Sequence, residues 1–269
     1  MRTPDTPETP SRTGRPAAGV AAALGRVLGA CADVIVPPCC LVCRARVSAH
    51  HLLCAGCWRE VDFIRPPLCD VLGIPLPFST GERMVSAAAV AHPPAWDRAR
   101  AVAHYTGAMR TLVHQLKYAD RHDGRTLLGR WLAEAGRELV PGIDVIVPVP
   151  LSRLRLILRH FNQAAVLAGE LARQTGVAMD PLLLARVRRT RSQVGMTREQ
   201  RRRNVAGAFR VPDRRRARLR GRNVLIVDDV LTTGATADAC ARALKRAGAA
   251  RVDVLTLALV TNEALAAGP

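Results

Sequence analysis

Aromatic side chains and lysine are both scarce in this chain of 269 residues. Aromatics make up 3% of the sequence, so the core has to be built mainly from Ala, Val and Leu. Lysine occurs only at Lys117 and Lys245, so the other 38 of the 40 basic residues are arginines. The formal net charge of +18 excludes the neutral surface of an ordinary metabolic enzyme and predicts phosphate-bearing partners.

Long apolar runs are also lacking. A membrane-spanning helix needs roughly 20 consecutive apolar residues, and residues 17–36, which come nearest, are interrupted by Arg26 and Asp33. Leu28 to Cys31 loosely resembles a lipoprotein signal, but Arg26 would lie inside its apolar core. We therefore predict a cytoplasmic protein with no membrane span. Its disordered tail covers residues 1–16, which are rich in Pro, Thr and Arg, and an N-terminal helix covers residues 17–36.

The positive charge is concentrated in one segment. Arg186–Arg222 contains fifteen arginines against Glu199 and Asp213, so it carries +13 of the net charge. Such a segment binds nucleic acid or a polyphosphate ligand, or it is a solvated arginine-rich loop. Phe209 is its only aromatic residue, so it lacks the interleaved rings on which single-stranded bases stack.

Four cysteines have the spacing of zinc ligands. Cys40 and Cys43 form one C-x2-C pair, and Cys54 and Cys57 form a second. Two such turns can complete a closed tetrahedral Zn²⁺ site with a structural role. Disulfides are the alternative, but they need an oxidising compartment and the sequence has no convincing export signal. We predict a zinc-finger-like module over residues 37–78, followed by a second domain over residues 79–269.

The other candidate metal ligands are weaker. His50 and His51 lie between the two pairs, where solvated loop histidines are the simpler interpretation. Cys69 is not followed by a second cysteine at C-x2-C spacing, so it is either a free buried thiol or the remnant of a second metal site. We therefore expect one zinc ion.

Strand and helix patterns alternate through the rest of the chain, which predicts an α/β fold with a parallel sheet covered on both faces. The predicted strands are 100–105, 144–150, 181–186, 223–228 and 251–260, and the predicted helices are 108–118, 126–139, 162–175 and 234–247. Ligands bind beyond the carboxyl ends of the strands in such sheets.

One strand end carries the chemistry of a sugar-phosphate site. The apolar run Val224–Val227 stops at Asp228 and Asp229, whose carboxylates can accept hydrogen bonds from a vicinal diol. A loop of small and hydroxyl-bearing residues follows, and a helix begins near Gly234, where N–H groups and the helix dipole favour a phosphate.

This run resembles the phosphoribosyl pyrophosphate (PRPP) motif of type I phosphoribosyltransferases. The resemblance implies that Asp228 and Asp229 hold the ribose hydroxyls and reach Mg²⁺ bound with PRPP. It also implies a cradle for the 5′-phosphate, formed by Thr232, Thr233, Gly234, Ala235 and Thr236.

The chain as a whole resembles the competence protein F (ComF/GntX) family, whose members join a zinc finger to a phosphoribosyltransferase domain. The matching features, in order, are the four cysteines, Tyr105–Gly107, Leu116–Tyr118, Val147–Pro150, Arg159–Gln163, Arg186, Gln193, Arg202–Asn204, Gly207–Phe209 and the acidic loop. Two positions depart from the family pattern. His160 replaces the usual Gly, and the second cysteine pair is reduced to Cys69.

Further binding residues follow from this resemblance. Val149, Pro150 and Arg153 resemble the pyrophosphate loop of the fold, with an ordinary rigid strand exit as the alternative interpretation of the prolines. Arg159 opens a helix where it could face a phosphate. Lys117 and Arg202 are candidate catalytic cations, against the alternatives of a lysine extended to solvent and a solvated arginine.

Three functions remain open. The first is transfer of the phosphoribosyl group from PRPP–Mg²⁺ to an unknown acceptor, linked by the family to DNA uptake and competence or to nucleotide salvage. The second is PRPP sensing without catalysis, and the third is nucleic-acid binding by a zinc module on a vestigial transferase fold. Leu231–Thr233 contains no acid, so no general base is visible. The sequence does not indicate an oligomeric state.

Overall fold

The structure is a computed structural model, and it describes residues 37–79, 81, 83–118, 122–152, 156–157, 161–191 and 195–260. The predicted tail and the predicted helix over residues 17–36 lie outside these ranges. Within them, no helix is both long enough and apolar enough to cross a membrane.

A four-stranded parallel sheet forms the centre of the fold. Its strands are β1 (Arg98–His104), β2 (Val145–Pro148), β5 (Asn223–Leu231) and β6 (Arg251–Leu259), arranged in the order β1–β6–β5–β2. All three pairings are parallel. The α/β class predicted from the alternating pattern is thus confirmed.

Helices follow or precede each strand. They are α1 (Ala55–Arg59), α2 (Ala87–Ala91), α3 (Gly107–Tyr118), α4 (Arg125–Ala135), α5 (Gln163–Thr175), α6 (Arg198–Val205), α7 (Asp213–Leu219) and α8 (Ala235–Arg246). A 3-10 turn over His122–Gly124 precedes α4. Local capping explains several boundaries. For example, Asn162 caps the start of α5, and Thr197 forms a capping box with Gln200 at the start of α6.

The sheet separates two hydrophobic cores. Alternate residues of β5 belong to different cores, with Val224 and Ile226 in one and Leu225 and Val227 in the other. Because successive side chains of a strand point to opposite faces, β5 is buried on both sides. This explains why its sequence is continuously apolar rather than alternating.

The cysteine-rich segment covers the edge of the sheet at β1. Phe63 pairs with Ala103 in an antiparallel bridge, the N–H of Ile64 donates to the carbonyl of Val102 at 3.0 Å, and His104 donates to Asp62 at 2.8 Å. The described residues from Cys39 to Val260 accordingly belong to one compact unit. The cysteine-rich module is therefore packed against the α/β fold rather than tethered beside it.

A small antiparallel pair lies outside the main sheet. β3 (Ala185–Arg186) pairs with β4 (Phe209–Arg210), and α6 lies between them in the chain. The strand predicted over 181–186 is thus reduced to its last two residues. Arg186 lies over the Phe209 ring at 5.4 Å, so part of the basic segment is anchored to this pair.

Candidate functional site

The acidic end of β5 concentrates two carboxylates in a partly buried position. Burial and the neighbouring charge of Asp229 raise the pKa of Asp228 from about 3.8 to about 7, against the opposing effects of a hydrogen bond from the Asp229 N–H and the charges of Lys117 and Arg186. The Asp229 N–H donates to Asp228 Oδ1 at 2.9 Å. Two adjacent acids of this kind favour a cation or a hydroxyl-rich ligand, which stabilises the ionised pair.

Lys117 lies in the same site. Its Nζ is 3.1 Å from Asp229 Oδ2, and both side chains are largely buried. The lysine is the last basic residue of α3, and its backbone carbonyl accepts from Gln163 Nε2 at 3.5 Å. One of the two lysines of the chain is therefore directed at the carboxylate pair.

The loop between β5 and α8 has the form of an anion-binding turn. Gly234 caps the helix at φ 76°, with no side chain accepting from the first-turn N–H groups. A Cβ at Gly234 would lie 2.6 Å from Cη2 of Trp96, so glycine is required both by φ and by the close approach of the indole. The open first turn can donate to a phosphate.

The other predicted phosphate-cradle residues surround this turn. The hydroxyl oxygen of Thr233 is buried and, within the described residues, has no hydrogen-bond partner. Ala235 and Thr236 are the first residues of α8. A buried hydroxyl without a partner is costly, so the Thr233 hydroxyl has the capacity to hydrogen-bond a ligand oxygen.

Arg201 was missed by the sequence reasoning, although it is adjacent to the predicted Arg202. Its Nη1 donates to the Thr232 hydroxyl at 2.9 Å, which holds α6 against the loop. Arg202 is exposed and lines a cavity that includes part of the loop but neither carboxylate. Three consecutive arginines, Arg201 to Arg203, obscured which side chain faces the loop, and the rotation of each residue about the axis of α6 is the signal that separates them.

The predicted pyrophosphate loop is described in part. The N–H of Val149 donates to the carbonyl of Val227 at 3.0 Å, and its own carbonyl accepts from Asn162 Nδ2 at 3.0 Å. Asn162 thus joins the start of α5 to the exit of β2, and Pro150 continues from it. Arg153, Arg159, His160 and Gln193 lie outside the described residues.

The four predicted zinc ligands converge. The Sγ atoms of Cys40, Cys43, Cys54 and Cys57 all lie within 4.8 Å of one another, and Cys43 Sγ is 3.6 Å from Cys54 Sγ. Tetrahedral Zn²⁺ with bonds of about 2.3 Å places sulfurs about 3.8 Å apart, so the cluster fits this ion. No disulfide forms among the described cysteines, and His50 and His51 are not part of the cluster.

The pKa values of two thiols in the cluster shift in opposite directions. Burial raises the pKa of Cys40, but N–H donors from Cys54, Cys43 and Val42 outweigh it and bring the pKa to about 6. Burial and the neighbouring thiols instead raise the pKa of Cys57. Four thiolates cannot share this space without a cation, and a dication with four sulfur ligands resolves the conflict.

Cys69 occupies a turn of related geometry without the other ligands. Its Sγ accepts from the Leu72 N–H at 3.5 Å, just as Cys54 Sγ accepts from the Cys57 N–H at 3.5 Å. It also accepts from the Ser86 N–H at 3.2 Å and is fully buried. Leu72 thus occupies the position that the second cysteine of a C-x2-C pair would take.

Comparison with protein families agrees with this geometry. Residues 31–89 match the model of a double zinc ribbon domain, and residues 162–266 match that of a phosphoribosyl transferase domain. The chain therefore has a phosphoribosyltransferase fold preceded by a zinc ribbon. Cys40, Cys43, Cys54 and Cys57 supply a structural Zn²⁺ site, the one four-ligand group found in the described part of the chain.

Its relatives are similar over nearly their whole length. The chain is 36% identical to the DNA utilization protein YhgH of Salmonella typhi over 82% of this chain and 97% of the relative. It is 33% identical to YhgH of Escherichia coli K12 with the same coverage, and 28% identical to competence protein F of Haemophilus influenzae over 81% of this chain and 96% of the relative. The protein belongs to the competence protein F (ComF/GntX) family.

A solved glutamine PRPP amidotransferase from B. subtilis is similar to part of the chain. The TM-score is 0.36 at 24% identity, over 53% of this chain and 30% of that one. The family models and relatives, rather than this partial likeness, support the assignment.

Proposed function

We propose that the protein binds PRPP with Mg²⁺ and transfers the phosphoribosyl group to an acceptor. The observation that carries the proposal is the juxtaposition, at one strand end, of the Asp228–Asp229 pair and an uncapped helix start. Carboxylates accept from a ribose diol, and the N–H groups of Thr232–Thr236 donate to a 5′-phosphate. The raised pKa of Asp228 marks a site that gains from a nearby cation.

The side chains have separate roles in this proposal. Asp228 and Asp229 orient the ribose, and Lys117, now paired with Asp229, is close enough to exchange that partner for an oxygen of the diphosphate. The exit of β2 at Val149–Pro150, with Arg153 and Arg159, would hold the leaving diphosphate. Asp228 or Asp229 would hold Mg²⁺, which when bound would neutralise charge on the diphosphate. Catalysis then rests on positioning and electrostatic stabilisation.

The proposed acceptor requires little proton transfer from the protein. Thr232 and Thr233 occupy the loop where a carboxylate could act on the acceptor, and the nearest acids, Asp228 and Asp229, are already assigned to ribose. An acceptor nitrogen that reacts without prior deprotonation fits this site. We place the reaction in the cytoplasm, where PRPP and reduced cysteines are available.

Calorimetry with PRPP and Mg²⁺ tests the binding step. The intact protein should bind, and Asp228→Asn/Asp229→Asn should weaken binding at least 100-fold, because both ribose acceptors and the local negative charge change together. The matched control is Asp62→Asn/Asp213→Asn, which removes two exposed carboxylates that belong neither to the loop nor to the end of β5. Absence of binding by the intact protein would contradict both the transferase and a PRPP-sensing role.

A second candidate, contact with nucleic acid, is favoured by an aromatic cluster formed by two rings of the cysteine-rich module and one ring of α4. The names of the relatives concern DNA utilization and competence. Trp58, Phe63 and Trp131 lie with ring centroids 5.2–5.7 Å apart, and Trp58 is 48% exposed. Exposed rings beside basic residues are the usual platform for single-stranded bases.

Binding of a fluorescent single-stranded oligonucleotide tests this candidate. Trp58→Ala should weaken binding about tenfold, the effect of losing one stacked base. Phe78→Ala removes another exposed ring, 66% accessible, and should leave affinity unchanged. Equal affinities for the two variants, or affinity independent of salt, would exclude this surface.

A further inference from the structure

A cavity beside the loop between β5 and α8 does not include the carboxylate pair among its lining residues. Its volume is about 560 Å³, which is in the range of small-molecule sites. It is lined by Thr232–Ala235 of the loop, but Asp228, Asp229, Lys117, Val149 and Pro150 are not among its lining residues. The cavity thus shares the loop residues Thr232–Ala235 with the proposed ribose-phosphate site but does not reach its carboxylates.

One wall of the cavity is apolar and firmly held. Trp96 is 6% exposed, its Nε1–H donates to the Val71 carbonyl at 2.7 Å, and its ring lies against Gly234. The neighbouring Ala95 N–H donates to Asp238 Oδ1 of α8 at 2.7 Å. The other apolar lining residues are Leu72, Ile74, Ala88, Ala91, Pro93 and Pro94. This wall suits the apolar body of a ligand.

The zinc ribbon contributes directly to that wall. Leu72 and Ile74 belong to the Cys69 turn, in which Leu72 occupies the second-ligand position. Gly73 between them has φ 68°, and a Cβ there would lie 2.5 Å from the Ala99 carbonyl oxygen of β1. The turn is therefore seated tightly on the sheet edge, and it presents apolar side chains where a ribbon would otherwise hold a metal.

The opposite side of the cavity is cationic. Arg198 and Arg202 are four residues apart on α6, so they share one face of the helix, and both line the cavity. Within the described residues, neither has a salt-bridge partner. The acids that also line the cavity are already paired, Glu199 with Arg203 and Asp238 with Arg242 at 2.8 Å.

We propose that this cavity is a second ligand site, for a small organic anion with an apolar ring and one carboxylate or phosphate. The ring would pack on the Trp96 wall and the anionic group would reach Arg198 and Arg202. The inference goes beyond the proposed transferase function, because it concerns a ligand that contacts neither ribose acceptor. It stands independently of whether PRPP binds.

Matched probes test the chemical class. We expect indole-3-carboxylate to bind at least tenfold more tightly than indole-3-carboxamide, which has nearly the same shape but no charge. Phenyl phosphate, measured alongside, distinguishes a phosphate-preferring from a carboxylate-preferring site. Binding is followed by calorimetry and by the indole N–H resonance of Trp96, assigned by elimination with Trp58→Phe and Trp131→Phe.

Two pairs of variants locate the site. Arg198→Gln/Arg202→Gln should remove the preference for acid over amide, whereas the exposed control Arg214→Gln/Arg218→Gln should retain it. Ala91→Trp should prevent the binding of indole-3-carboxylate and of phenyl phosphate, because the larger side chain would fill part of the cavity. Val90→Trp, on an adjacent residue that does not line the cavity, should have no effect.

The same measurements separate this proposal from the transferase. Asp228→Asn/Asp229→Asn should still bind indole-3-carboxylate as the intact protein does, and Ala91→Trp should still bind PRPP. The proposal is overturned if neither anionic probe binds, if acid and amide bind equally, or if Ala91→Trp leaves probe binding unchanged.

Discussion

Two regions of this molecule gather acidic groups at close range, and they resolve the repulsion differently. The four thiols of the ribbon surround a point and have N–H donors around them, so one thiol pKa falls to about 6 and a dication completes the cluster. The Asp228–Asp229 pair lies at an open strand end, and the pKa of Asp228 rises to about 7. The cysteine cluster, once it holds a metal ion, stabilises the fold. The Asp228–Asp229 pair instead retains the repulsion between its carboxylates, and we expect a bound ligand to relieve it.

Removing a thiol should have the largest effect. Cys54→Ser should reduce bound zinc by about one equivalent and lower the free energy of unfolding by several kcal/mol, because structural zinc contributes on the order of 10 kcal/mol to such modules. Elemental analysis and denaturant unfolding measure the two effects. An unchanged zinc content would show that the cysteines do not hold the metal.

Removing the Asp228 carboxylate should stabilise the fold, whereas removing a thiol of the cluster should destabilise it. Asp228 has a higher pKa in the folded chain than its ordinary value near 3.8, so its ionisation disfavours folding as pH rises through that interval up to about 7. Asp228→Asn should therefore raise the free energy of unfolding at pH 8, on a scale of about 1.4 kcal/mol per pKa unit. At pH 3.5 the gain should vanish. Urea unfolding at both pH values measures it, and destabilisation at pH 8 would contradict the cause given for the shift.

The affinity for PRPP–Mg²⁺ should depend on the same proton. Binding of the magnesium complex favours the ionised pair, so affinity should rise from pH 5.5 and level off above about pH 7, by roughly tenfold per pH unit at most. Calorimetry across this range with Asp228→Asn as the comparison isolates the contribution of Asp228 from the titration of the ligand phosphate. Identical pH profiles for the two proteins would exclude Asp228 as the titrating group.

The smallest effect is expected at Cys69, which has the turn geometry but not the other ligands. Cys69→Ala leaves the Leu72 and Ser86 N–H groups without their acceptor, so it should cost about 1–3 kcal/mol. Its zinc content should match that of the intact protein. Loss of zinc in this variant would mean that Cys69 participates in the metal site.

Much of the fold could be predicted from periodicity and capping signals. The continuous apolar run before Asp228 predicts a strand buried on two faces, and Asn162 and Gly234 mark helix starts within one residue of those observed. The β3–β4 pair was harder to predict, because two-residue strands leave no periodic signal. Its position depends on contacts between Arg186 and Phe209 that are distant in the sequence.

The candidate site was predictable where one contiguous run supplied it. The cysteine spacing and the acidic loop each identify their residues directly, whereas Lys117 is brought to Asp229 by folding over more than a hundred positions. Arg201 was missed because the contact depends on the rotation of α6. The cavity beside the loop could not be foreseen, since its walls come from the ribbon turn, α2, α6 and α8 together.

The antiparallel contact of residues 62–64 with β1 affects the tendency of the protein to aggregate. This contact occupies hydrogen-bonding groups along an outer strand of the sheet. If zinc is withdrawn and the ribbon loosens, those groups become available for pairing with another chain. Loss of zinc should then lead to self-association while the α/β domain is still folded. The metal would thus protect the protein from aggregation.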